Sequence, residues 1–253
     1  MSTDRVLDTL DDGVLTLTLN RPEKRNALDG AMIHALTAHL ERADLDVAVR
    51  VVAVRGSGSD FCAGADLTEL LASADRSLAE NREDAARLGA VFTRMRALPK
   101  PVVAIVHGRA LAGGCGLATA CDLTVARDDA TFGYPEVRRG FVPAMVMTML
   151  RRATSERVAF DLVATGRSLD ATEAVRCGLV ARVFPAAGFE DSVAAFLGLL
   201  RAASPSALAL IKQQLYALDV MGFDAGVRLG AEVNAVARQT PDFREAIERF
   251  LRQ

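Results

Sequence analysis

Four short runs of β-branched residues separated by helical patterns constrain this chain more than any other feature. Val14 to Leu19, Val51 to Val54, Val102 to Val106 and Leu123 to Ala126 recur with helix-period segments between them, an order that predicts a layered α/β core. In the first helical segment Met32, Ile33, Leu36 and Leu40 form one apolar stripe, and Asp29 is placed to cap its start. From about residue 143 onward the pattern is mainly helical. Asp170 with Glu173 reads as a capping box, Gly178 as a helix terminator, and Ser204-Pro205 and Thr240-Pro241 as cap plus first-turn proline. The last helix gathers Phe243, Ala246, Ile247, Phe250 and Leu251 on roughly one face, which needs an apolar surface such as another subunit. No internal repeat or linker divides the chain, so the expected organisation is an α/β core over 1–195 and a helical C-terminal region over 196–253.

Composition removes several function classes. A chain of 253 residues can bury a substantial core, and none of its apolar stretches reaches the roughly 18 residues of a membrane span. Residues 1–12 are polar and acidic where the apolar part of a signal peptide would sit; a cytoplasmic protein is expected. With 30 basic and 32 acidic residues, two tyrosines and no tryptophan, no basic face or stacking platform for nucleic acid is evident. Cys62, Cys115, Cys121 and Cys177 form no CxxC pair and have no histidine at ligand spacing, so reduced thiols and no metal are expected.

Two segments place small residues between a strand and a helix: Asp60-Phe61-Cys62-Ala63-Gly64-Ala65-Asp66-Leu67 and Leu111-Ala112-Gly113-Gly114-Cys115-Gly116-Leu117. Small residues let a bound group approach the main chain, and amides that open a helix lack intrahelical partners and carry partial positive charge. Two such loops facing one another would supply the two donors that an oxyanion needs. Dinucleotide and phosphate fingerprints are absent. So are a nucleophile elbow and any triad context for His34, His39 and His107.

These residues resemble the crotonase superfamily of enoyl-CoA hydratases and isomerases over nearly the whole chain. The resemblance rests on Asn20 to Leu28, Phe61 to Leu67, Gly108 to Gly114, Ala120 to Leu123, Phe132 to Val137, Thr165 to Arg167 and Ala174 to Val180, in that order. It implies a spiral β-β-α core with a helical C-terminal trimerisation region, and an acyl-CoA thioester substrate without further cofactor. A homotrimer, or a homohexamer built as a dimer of trimers, is implied as well. Carried over residue by residue, the resemblance puts the oxyanion donors on the amides of Ala65 and Gly113, one in each of the two small-residue segments. CoA contacts fall on Lys24, Arg25, Ala27, Ala63, Asp66 and Leu67, although for Lys24 a solvated surface charge is an equal reading.

The family's two acid/base carboxylates match unequally: the second falls on Glu136, and the first is replaced by Gly116. One carboxylate suffices to shuttle a proton in double-bond isomerisation, whereas hydration ordinarily uses two. Against that, Cys115-Gly116-Leu117 with Val142 to Met145 resembles a branch assigned to hydrating methylglutaconyl-type acyl-CoAs. Hydration and isomerisation both stay open. An acyl-CoA hydrolase or decarboxylase and a non-catalytic acyl-CoA-binding subunit are the alternatives. For Tyr134 and Cys62 core packing is expected, and for His107 a structural hydrogen bond at a strand end.

Overall fold

The computed structural model describes residues 4–252. Six strands form the main sheet: β1 (Val6–Asp11), β2 (Val14–Leu19), β3 (Val51–Gly56), β4 (Val102–Val106), β6 (Leu123–Arg127) and β9 (Arg182–Phe184), in the order β1-β2-β3-β4-β6-β9. Only the β1-β2 pair is antiparallel. A second sheet pairs β5 (Arg109–Leu111) with β7 (Thr131–Gly133), and β7 with β8 (Ser168–Asp170). The helices are α1 (Gly30–Leu45), α2 (Leu67–Ala72), α3 (Leu78–Ala97), α4 (Gly113–Ala120), α5 (Val146–Ala153), α6 (Glu156–Thr165), α7 (Ala171–Arg176), α8 (Phe189–Ala202), α9 (Pro205–Ala217), α10 (Phe223–Ala237) and α11 (Pro241–Leu251).

The period of two in β3 and β4 decides which side chain enters which core. Val52, Val54, Val102, Ala104 and Val106 face a large cluster with Met32, Leu36 and Leu40 of α1 and Val91, Phe92 and Met95 of α3. Val51, Ala53, Val103 and Ile105 face the other way, onto Phe189, Val193, Phe196 and Leu197 of α8. Both faces of the sheet are therefore covered, as a mostly parallel sheet requires. The 195/196 boundary expected from sequence falls inside α8, and its apolar stripe runs through that point because the whole helix lies on the sheet.

One unit recurs along the chain: a main-sheet strand, a short pairing in a second layer, then a helix. It is seen as β2, Leu28 and α1; as β3, Cys62 to Ala65 and α2; and as β4, β5 and α4, with Leu28 bridged to Ala65 and Cys62 to Ala110. Successive helix starts are thereby stacked beside one another.

The sequence signals mostly act as expected. Asp29 accepts from the Met32 amide at 2.8 Å, and Ser204 and Thr240 cap α9 and α11. Gly178 follows α7 with φ +86°. The capping box at Asp170 is only half made: Asp170 accepts from the Glu173 amide, while the Glu173 carboxylate turns to Arg167 at 2.8 Å, a stronger charged partner.

Candidate functional site

Asn26 builds the first loop. Fully buried and at φ +55°, its amide nitrogen donates to the carbonyls of Ser57 and Asp60 at 2.8 Å and of Phe61 at 3.2 Å, which folds the segment after β3 back on itself. Asp60 then fixes the neighbouring strand: its carboxylate receives Arg109 Nε at 2.6 Å, Nη2 at 2.9 Å and the Arg109 amide. The guanidinium holds that carboxyl below its ordinary value. Residues 62–66 run on between two backbones. The Leu28 amide donates to Gly64 O and the Asp66 amide to Leu28 O; both bonds belong to the residues flanking Ala65, so Ala65's own N–H is turned away from this pairing and has no acceptor among the described residues.

Gly113 opens α4, so its N–H has no partner inside the helix. The preceding Ala112 is held at φ +52° with its amide on Gly133 O at 2.8 Å. The two loops touch. A Cβ on Gly113 would stand 3.8 Å from the Ala65 nitrogen, and one on Gly64 would stand 3.2 Å from the Gly113 nitrogen. Gly114 permits this approach, since a Cβ there would meet the Cys62 Cβ and Sγ at 2.7 Å. The residues at 65 and 113 are thus neighbours, each with an uncommitted amide at the start of a helical segment.

Glu136 lies three residues beyond Gly133, in a 3-10 turn over Pro135–Arg139. It is 8% exposed, and its Oε2 is buried with no hydrogen-bond partner among the described residues. Burial raises its carboxyl above the ordinary value, opposed by the charge of Arg139. Its charge also acts on Cys115, whose thiol burial pushes up to about 12, and on the fully buried Tyr134. Tyr134 pairs with Thr119 at 2.9 Å. At neutral pH both therefore keep their protons.

The other sequence candidates cluster along the same edge. Lys24 and Arg25 are exposed and without ion pairs among the described residues, Ala63 donates to Arg25 O at 2.9 Å, Ala27 is buried, and Leu67 is 57% exposed. Asp66 differs, because its carboxylate accepts from Arg21 at 2.7 Å and from the Thr68 and Glu69 amides, which pulls its pKa to about 2. That side chain caps α2. His107 Nε2 meets Gly58 O at 3.0 Å, and Cys62 is core. Sequence reasoning missed Arg21, Asn26, Asp60 and Arg109 as builders of the site. Asn26 between two short loops was the one readable signal, whereas no spacing rule links Asp60 to Arg109. A cavity of about 590 Å³ sits at the far end of α4, lined by Phe92, Arg96, Thr119, Met149 and Arg152 among others.

A family profile described as enoyl-CoA hydratase/isomerase matches residues 9–253. A Thermus thermophilus protein provisionally named as an enoyl-CoA hydratase is 41% identical over 237 residues, 94% of each chain. The 2,3-dehydroadipyl-CoA hydratase of Escherichia coli is 35% identical over 241 residues, 95% of this chain and 92% of that one. The crystal structure of an enoyl-CoA hydratase from Mycobacterium smegmatis superposes with a TM-score of 0.94 at 33% identity, covering 98% of this chain and 96% of the other.

Proposed function

The chain belongs to the enoyl-CoA hydratase/isomerase family, and from that premise we propose that this acyl-CoA enzyme holds the thioester oxygen between the amides of Ala65 and Gly113 and moves a proton beside it with Glu136. The observation that carries the reading is the juxtaposition of two partnerless amides on touching loops. Fixed N–H donors aimed at one oxygen stabilise the negative charge that develops there; each donor is worth about 3 kcal/mol in the transition state. Drawing charge onto that oxygen acidifies the adjacent C–H and makes the conjugated β-carbon electrophilic. Glu136, poorly solvated and with a free oxygen, is the base that takes the proton and the acid that returns it.

Water addition and double-bond migration share this enolate. The names of the relatives favour addition; Gly116, where a second carboxylate is missing, favours migration. Lys24, Arg25, Ala27, Ala63, Leu67 and the backbone at Asp66 are the surface proposed for CoA, next to the Ala65 amide. The chemistry calls for no cofactor beyond the CoA of the substrate. The cytoplasm is the proposed location; a homotrimer or a dimer of trimers is the proposed assembly, which the exposed Ile211, Leu215, Phe223, Val227, Phe250 and Leu251 on α9 to α11 support.

The Glu136→Gln variant tests the site. It should bind acyl-CoA as tightly as the parent while turnover falls at least ~10²-fold, read by product analysis with 2-enoyl-CoA and 3-enoyl-CoA. Undiminished turnover removes Glu136 from the mechanism, and free CoA as the main product would point to hydrolysis.

A further inference from the structure

Gly116 lies one turn into α4, directly after Cys115, on which Glu136 acts. A Cβ built there would overlap Val146 Cγ1 outright and stand 2.8 Å from Val146 Cβ, with Phe92 Cζ at 3.9 Å. Val146 opens α5 and is 4% exposed, and Phe92 is 6% exposed. A valine has one torsion and little freedom to give way. The missing carboxylate is therefore not a vacancy but a packed contact between two helices: the volume is already taken by an aliphatic side chain.

The electrostatics agree with the packing. A second carboxylate close to Glu136 would raise its pKa by like-charge repulsion; burial alone raises it, its own backbone amide and Arg139 oppose that rise, and no acidic neighbour among the described residues contributes. Cys115 and Tyr134 remain neutral.

We propose that Val146 is a reaction-determining residue: seated against Gly116, it makes a dry aliphatic wall that withholds a binding place for water and directs the enolate toward carbon-to-carbon proton transfer. In that branch Glu136 takes a proton from C2 of a 3-enoyl thioester, and the C–H electron pair moves through C2 and the carbonyl carbon to the oxygen. The same carboxyl then protonates C4 as the double bond moves to C2–C3. No water is consumed, and Glu136 ends as it began. Addition to a 2-enoyl thioester requires a water oriented at C3, for which an aliphatic wall offers neither donor nor acceptor.

The inference rests on the proposed role of Glu136, and one assay separates the two. Val146→Thr keeps the volume and shape of the side chain and adds one hydroxyl. Rates of hydration of a 2-enoyl-CoA and isomerisation of the matching 3-enoyl-CoA are measured on one preparation of the full chain, so the folded fraction cancels in their ratio. The hydration-to-isomerisation ratio should rise at least ~5-fold in Val146→Thr, by gain of hydration with isomerisation roughly kept. An unchanged or lower ratio overturns the proposal, as does loss of both reactions in folded Val146→Thr, because a wall that only excludes water is not needed for proton shuttling. Glu136→Gln in the same assay reports on the parent reading: retention of both reactions sinks that reading, whatever Val146→Thr does.

Discussion

The Glu136 carboxylate is nearly buried, with one oxygen lacking a partner among the described residues, and is charged in the folded chain at a cost. The sign follows from its raised pKa. Between the unfolded glutamate's value of about 4.3 and the higher folded value, the native state binds the extra proton, so stability falls as pH rises through that window. Glu136→Gln removes the charge while keeping the shape. Its thermal midpoint should exceed that of the parent at pH 7.5, with the gap closing toward pH 4 in scanning calorimetry; an equal or lower midpoint at pH 7.5 contradicts the assignment of burial as the cause. The residues proposed for the chemistry, Ala65, Gly113 and Glu136, could be picked out in the sequence because small residues and a lone glutamate stand in short motifs. The residues that shape the loops could not, since Asp60 and Arg109 meet only through the fold; the contact of Val146 with Gly116 is likewise a product of the fold.

Among elements, β2, β3, β4 and β6 were legible from their β-branched runs, and the caps of α1, α9 and α11 from single polar residues. Strand β1 was not, because only Val6 of its six residues is buried and the segment carries no apolar alternation. Its one signal was Asp12-Gly13, a hairpin dipeptide. The attachment of α9 was equally hidden. Lys212, 8% exposed, donates to Asp122 at 2.7 Å and to the carbonyls of Met95 and Lys100, while Tyr216 donates to the other Asp122 oxygen at 2.5 Å. A buried pair broken on one side leaves an uncompensated charge, typically at a cost of about 3–5 kcal/mol. Lys212→Met should therefore release α9 from the core before the rest unfolds. Hydrogen exchange should show faster amides in α9 to α11 and unchanged ones in α1; uniform protection throughout would mean that packing alone holds the helix.

Across the whole molecule the strand–pairing–helix unit repeats without any repeat in the sequence, since each turn needs the same backbone path but different packing. The C-terminal helices leave Phe250 and Leu251 at 73% and 78% exposure, a face that an isolated chain does not cover. If it is a subunit contact, Phe250→Asp should lower the mass found by light scattering to that of one chain, and an unchanged mass would place the interface elsewhere. The turns are also locked to one another: a Cβ at Gly64 would lie 2.6 Å from the Ala112 methyl, so the second and third turns share room for one methyl group, which the third has taken. A chimera that grafts either turn from a relative must inherit both positions together, or two methyls will compete for one site and push apart the amides that the graft was meant to keep.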